Sequence, residues 1–266
     1  MTPSSRRPHT ALALILSVLM TGCATTGTNG PKAQPEAQKK SVTEQAKASG
    51  AEVQSLIKDD PIAAAAYWGA LYDNNQKDAT AAANYGDALR QIGSGEKAAS
   101  VLRPAIDLYP QDPRLLAAYG KAVAANGQPQ DALPYLNKAV ALDPKNVQTL
   151  SAAGVVQDQL GHPEEARRQY EAALKLQPDN TVLLNNYGLS RAFAGDLPKA
   201  EELLRRATTS PGATAQMRQN LALVLGLAGK FEEAEVLSRA DLPVQDTEKN
   251  MSYIRALRGE PMAATR

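Results

Sequence analysis

Apolar positions recur at helical spacing from about Ser41 to Arg258, and glycine and proline cut the pattern into short pieces. Between Ala79 and Glu248 the pieces repeat every 34 residues without a gap, in five copies that begin at Ala79, Pro113, Val147, Thr181 and Ala215. The fifteenth place of each copy is glycine: Gly93, Gly127, Gly161, Gly195 and Gly229. The twentieth is alanine: Ala98, Ala132, Ala166, Ala200 and Ala234. The eighth is always small: Gly86, Gly120, Gly154, Gly188 and Ala222.

Each copy reads as two amphipathic helices joined by a tight turn. In the copy from Val147, Leu150, Ala153, Gly154 and Val155 fall on adjacent faces of a first helix, and Ala166, Tyr170, Ala173 and Leu174 mark a second. Gly161 suits the left-handed residue that ends the first helix, and Pro163 suits the start of the next, where no backbone N–H is needed. Pro178 closes the second helix. Two antiparallel helices approach closely only where side chains are short, so Gly154 and Ala166 are expected to meet, with Leu150 and Tyr170 filling the space beside them. One such pair cannot bury its own apolar face and must be covered by stacked neighbours.

These places resemble the tetratricopeptide repeat. In the copy from Pro113 its signature positions are Leu116, Tyr119, Gly120, Val123, Ala132, Leu136, Ala139 and Pro144. The resemblance is strong for three copies. It loosens in the fourth, at Arg191 and Pro211, and in the fifth, at Arg218, Ser238, Asp241 and Asp246. It implies an all-α tetratricopeptide-repeat solenoid, a right-handed superhelix of helix pairs with a C-terminal capping helix.

The flanks complete a layout of the 266 residues. Residues 1–22 read as a signal peptide: Arg6, Arg7 and His9 precede an apolar run from Ala11 to Met20, too short to span a bilayer but suited to an export signal. Pro8 and His9 do not fit a twin-arginine signal. Met20-Thr21-Gly22-Cys23 resembles the bacterial lipobox, in which a lipid is attached to the cysteine after cleavage. The alternative for Cys23 is a plain apolar residue in a leader cut elsewhere. Ala24 at the next position implies, by that resemblance, the outer membrane and its periplasmic face. The stretch 23–40 is then a lipidated cysteine and a disordered tether, whose seventeen residues from Ala24 to Lys40 would span roughly 20–25 Å. Residues 41–78 read as a degenerate first repeat, with Trp68 as core filler, 79–248 as the five repeats, and 249–266 as a capping helix and tail.

Cys23 is the only cysteine, so no disulfide forms within one chain. Cleavage would remove Arg6 and Arg7 from the 29 basic residues and none of the 28 acidic ones, leaving a formal charge of −1. No basic block marks a nucleic-acid surface. The two histidines, His9 and His162, have no partners at ligand spacing, so no metal site or cofactor is expected. Glu164-Glu165, Glu201-Glu202 and Glu232-Glu233 are expected to begin second helices, where the helix dipole favours carboxylates, rather than to serve as acid–base pairs. The chain is therefore read as non-catalytic.

Function is expected on the surface lined by the first helices, which in stacked repeats of this type form a concave groove. In the first two copies its floor is small or polar: Ala83, Asp87, Ala117 and Lys121. In the last two it holds Asn185, Asn186, Leu189, Phe193, Gln219, Asn220, Leu223 and Leu227. Apolar anchors beside side-chain amides suit a peptide. The alternative is that Leu189, Phe193 and Leu227 pack under the cap. A chaperone-type carboxylate clamp is not expected, since Ala83, Asp87 and Ala118 stand where it needs Lys and two Asn.

The C-terminal segments Met217–Val224, Gly229–Glu235, Arg239–Leu242 and Asn250–Tyr253, together with the layout, resemble the TadD lipoproteins of the Tad (tight adherence) Flp-pilus system. The resemblance implies a pilotin-like adaptor, held at the membrane by its lipid, that binds the outer-membrane secretin and promotes its targeting or assembly. The alternatives are a scaffold lipoprotein for outer-membrane or pilus complexes and a recruiter of a cell-wall enzyme.

Overall fold

The computed structural model describes residue 57 and residues 60–259. The expected leader, Cys23, the tether, nearly all of the first half of the degenerate repeat and the end of the tail lie outside the described residues. Twelve α-helices run through the described residues, which contain no strand. In order they are α1 (Pro61–Asn74), α2 (Ala79–Gln91), α3 (Gly95–Leu108), α4 (Pro113–Ala125), α5 (Pro129–Leu142), α6 (Val147–Gln159), α7 (Pro163–Leu176), α8 (Thr181–Phe193), α9 (Leu197–Thr209), α10 (Ala215–Leu227), α11 (Phe231–Arg239) and α12 (Val244–Leu257). The chain forms two compact units and passes from one to the other between Val156 and Gln157.

The starts of α2, α4, α6, α8 and α10 are 34 residues apart because each begins at a fixed chemical signal. Asp78, Asp112, Asn146, Asn180 and Thr214 hold the last place of successive copies, and each side chain accepts from backbone N–H groups of the first turn it precedes. Asp60 does the same for α1. This capping column stands in the sequence as Asp, Asp, Asn, Asn and Thr, residue types that also fill loops, so it is less distinct than the invariant glycine and alanine columns. The end of each first helix is set by the fifteenth-place glycine, with φ between 76° and 85°. The residue after it bonds back five residues, as in Ser94 N–H to Leu89 O at 2.8 Å and Lys230 N–H to Leu225 O at 2.9 Å.

In the N-terminal unit a core of small residues and leucines joins α2 to α5, including Ala82, Leu89, Ala98, Leu102, Leu115, Leu116 and Ala139. The eighth-place glycines act differently from the expectation. A Cβ on Gly86 would lie 2.4 Å from Leu102 Cδ1, and one on Gly120 would lie 2.7 Å from Leu136 Cγ. The seat is therefore cut for the large residue at place twenty-four, and alanine at place twenty contributes chiefly its backbone, as in Ala132 O at 3.3 Å.

The C-terminal unit repeats this at Gly188, where a Cβ would meet Leu204 Cγ at 2.7 Å. Its core gathers Ala192, Ala200, Leu204, Leu221, Leu225, Met251 and Ile254. The fifth copy departs in matched pairs. Places eight and twenty-four are Ala222 and Ser238, so the Cβ gained by one is offset by the volume lost from the other. Places four and twenty-seven, Leu184 and Ala207 one copy earlier, are Arg218 and Asp241, joined by two hydrogen bonds from the guanidinium. Helix α11 is nine residues long, against thirteen or fourteen for the other second helices, because the chain turns ahead of Pro243. The capping helix α12 accordingly starts at Val244, inside the stretch assigned from sequence to the fifth repeat. It docks where Gly226 leaves room: a Cβ there would be 2.7 Å from Ile254 Cγ2.

Candidate functional site

The residues proposed for docking lie on α8 and α10 of the C-terminal unit. Asn220 is 2% exposed and Asn185 is 9% exposed, and they are bonded to one another. Asn220 Nδ2 donates to Asn185 Oδ1 at 2.8 Å. Gln216 Nε2 donates to Asn220 Oδ1 at 3.1 Å, and Asn185 Nδ2 donates to Asn186 Oδ1 at 3.3 Å. Three donations thus run in one direction through four amides, from exposed Gln216 through two buried asparagines to half-buried Asn186. Two buried amides left unpaired would be costly, and this relay satisfies them.

Leu189 is buried. Leu223 and Leu227 are partly buried and pack on the cluster that holds Met251 and Ile254, beneath α12. Phe193 and Gln219 are half-buried. Gln219 makes two long bonds from Nε2, to Ser238 O at 3.4 Å and to Asp241 Oδ2 at 3.5 Å. On this face Gln216 and Val182 are exposed, Val182 at 58%, and Asn186, Gln219, Phe193, Leu223 and Leu227 each keep part of their surface.

Charges on α8 and α10 are matched. Arg191 holds Asp196 at 2.7 Å, and the guanidinium keeps that carboxyl below the usual range. Arg218 does the same for Asp241. A third polar cluster went unread in the sequence. Asp158, near the end of α6, accepts from Ser190 Oγ at 2.9 Å and from Tyr170 Oη at 3.1 Å. Burial pushes its carboxyl up to about 6, against the opposing effect of those two hydroxyls. Tyr170 is fully buried, stacks on Tyr187 with ring centres 5.3 Å apart, and is raised well above the ordinary phenol range by burial. The alternation of apolar places gave no sign of this cluster, since Ser190 and Asp158 stand in columns filled elsewhere by Ala, Val, Gly or Arg.

In the N-terminal unit, Asp87 and Lys121 of the groove floor form an ion pair, with Nζ 2.7 Å from Oδ1. Arg90 Nε lies 3.6 Å from the same oxygen. His162 Nδ1 is 2.9 Å from Gln157 Oε1, a contact that calls for the proton on Nδ1. Glu164-Glu165 and Glu232-Glu233 stand in first turns. Glu201-Glu202 differ: they lie within α9, where Glu201 binds Arg205 and Lys230 and Glu202 binds Lys199. Among the described residues no group of three His, Cys, Asp or Glu is gathered that could hold a metal ion. No helix there is long and apolar enough to cross a membrane.

Two family models, each described as Tetratricopeptide repeat, match the chain, one over residues 58–113 and 95–147 and the other over 123–186. No curated protein matches. Among solved structures, a thermophilic tetratricopeptide-repeat protein of Thermus thermophilus is 21% identical with a TM-score of 0.58, over 67% of this chain and 99% of that one. A tetratricopeptide-repeat protein of Parabacteroides merdae is 14% identical with a TM-score of 0.57, over 84% and 88%. MamA of Desulfovibrio magneticus, from residue 41 onward, is 20% identical with a TM-score of 0.52, over 66% and 96%. At these identities the likeness is one of fold. Helix pairs of 34 residues, glycine-ended first helices and the two matching models lead to one conclusion: residues 58–186 carry tetratricopeptide repeats, and the described helix pairs share that all-α repeat fold.

Proposed function

We propose that this protein is a non-catalytic outer-membrane lipoprotein, anchored through Cys23 and facing the periplasm, that acts as a pilotin-like adaptor for the secretin of a Tad (Flp) pilus system. The observation that carries the reading lies at the C-terminal end. Arg218, Gly229, Phe231, Asp241 and Met251 belong to the stretch that resembles TadD lipoproteins, and the same residues close the repeat array. Arg218 pairs with Asp241, the centre of the Phe231 ring lies 4.8 Å from the Arg255 guanidinium, and Met251 is the buried anchor of the capping helix itself. A particular ending built on a general repeat supports a particular partner.

The mechanism needs no reaction. The repeats dock a segment of the secretin, and the lipid keeps the complex at the membrane, which raises the local concentration of both. On the C-terminal face the docking groups are Asn186 and Gln219, flanked by Phe193; the buried pair Asn185–Asn220 positions Asn186, and Ser238 O with Asp241 holds Gln219.

Affinity purification of the tagged full-length protein from detergent-solubilised envelopes of its own host tests the reading. Recovery of a secretin, reduced by Asn186→Ala with Gln219→Ala, is the expected result. Barrel-assembly or cell-wall proteins without a secretin would sink it.

A further inference from the structure

The N-terminal unit carries a surface of different chemistry. Helices α2 and α4 are neighbours, and their groove columns bring together Ala83, Asp87 and Arg90 from one and Ala117 and Lys121 from the other. Ala83 and Ala117 are both under 9% exposed, so the floor ends at a methyl group and a passing backbone can lie against it. Above it, two cations share one carboxylate. Lys121 Nζ is 2.7 Å from Asp87 Oδ1, and Arg90 Nε is 3.6 Å from the same atom. Arg90 Nε is buried and finds no hydrogen-bond acceptor. The three side chains keep 23–34% of their surface, so the site is partly dry yet reachable.

The arrangement differs from the other cation sites. Arg205 has two carboxylates, Glu201 and Glu233, within 2.8 Å, and Arg191 and Arg218 each have one to themselves. Here two cations face one carboxylate, and Arg90 Nε has no hydrogen-bond acceptor. Guanidinium and carboxylate meet through paired, charge-assisted hydrogen bonds. We propose that the alanine-floored surface of α2 and α4 docks an extended segment of the partner protein through an acidic side chain, whose carboxylate binds Arg90 and Lys121. Asp87 holds the two cations in place until that carboxylate arrives. The proposal rests on the adaptor reading only in taking the ligand to be a protein segment.

The test is selection of a random peptide-display library on the full-length protein in detergent, with the winners remade as fluorescent peptides and measured by anisotropy. The winners share an Asp or Glu, and its change to Asn or Gln weakens binding by roughly tenfold at low salt and by less at high salt, where surface charge is screened. Arg90→Gln and Lys121→Gln each lose that advantage with the helical signal intact. Asp87→Asn removes the internal competitor and tightens the acidic peptide, which a purely structural ion pair would not do. Winners with no required acidic residue, no winners at all, or Asp87→Asn weakening the peptide overturns the proposal. Acidic winners that bind through Arg90 and Lys121, with no secretin in the envelope purification, would leave this site standing and remove the secretin reading. A secretin still recovered by the Arg90→Gln, Lys121→Gln double variant would do the reverse.

Discussion

Gly120 and Gly127 stand seven residues apart and are glycine for unrelated reasons. Gly127 has φ of 76° and open space within 4 Å of where a methyl would stand, so Gly127→Ala is opposed by backbone conformation alone, at about 1–2 kcal/mol. Gly120 is helical, and Gly120→Ala drives a methyl into Leu136, for about 1–3 kcal/mol of overpacking. Urea denaturation separates the two: Leu136→Ala should restore room to the Gly120 variant and do nothing for the Gly127 variant. The first role was legible in the sequence because a fixed turn leaves a fixed glycine. The second was assigned to the wrong neighbour, because which side chain fills a seat depends on rotamers rather than spacing. Asp158 was not legible at all, since its burial is a property of α7 and α8. Its carboxyl ionises near 6 in the folded chain and near 3.8 when unfolded, so the folded state binds more protons between those values. Stability contributed by this group is therefore greatest below about pH 4 and is lost as pH rises through 6, by at most about 3 kcal/mol. Asp158→Asn should be at least as stable as the parent at pH 7 and lose that lead progressively as the pH falls to about 4. A lead that grows on acidification would contradict the assignment.

At the scale of helices, the 34-residue spacing was readable because each first helix is bounded twice, by a capping oxygen in front and a left-handed glycine behind. The last pair escaped that reading. Arg218, Ser238 and Asp241 look like decay of a pattern when taken one at a time, and become matched substitutions only when paired across α10 and α11. Asp241 is the more buried partner, with 10% of its side chain exposed. Asp241→Ala leaves Arg218 without its acceptor and should destabilise by about 1–3 kcal/mol. Arg218→Leu with Asp241→Ala recreates the arrangement of the preceding copy and should recover most of that loss. A double-mutant cycle followed by thermal unfolding checks it, and strict additivity would show the pair to be ornamental. Gly226→Val tests the cap in the same way, by raising hydrogen exchange in α12 before it does so in α8.

For the molecule, the alternation of residue types was enough to reach the solenoid, whereas the docking surface was only partly in view. Leucines on a groove face and leucines under a cap have the same spacing, and Leu223 and Leu227 are half-buried against a cluster to which α12 contributes Met251 and Ile254. If the cap serves to cover them, removing residues 244–258 should increase binding of an apolar dye and bring on aggregation while most of the helical signal remains. An unchanged dye signal would mean that α12 covers little.

The substitutions in the fifth copy bear on how such a chain can be inherited. Arg218 and Asp241 lie in one copy, as do Ala222 and Ser238, so each change and its answer travel on the same stretch of coding sequence. A crossover between copies, near Thr214, carries both halves of each match together. A crossover between α10 and α11 joins Arg218 to alanine, or a leucine seat to Asp241, and leaves a half-buried charge alone. Both matches are thus kept when the helix pair is exchanged whole, and the remaining cost of such an exchange lies in the bonds that cross copies, such as Asn220 to Asn185 and Lys121 to Asp87.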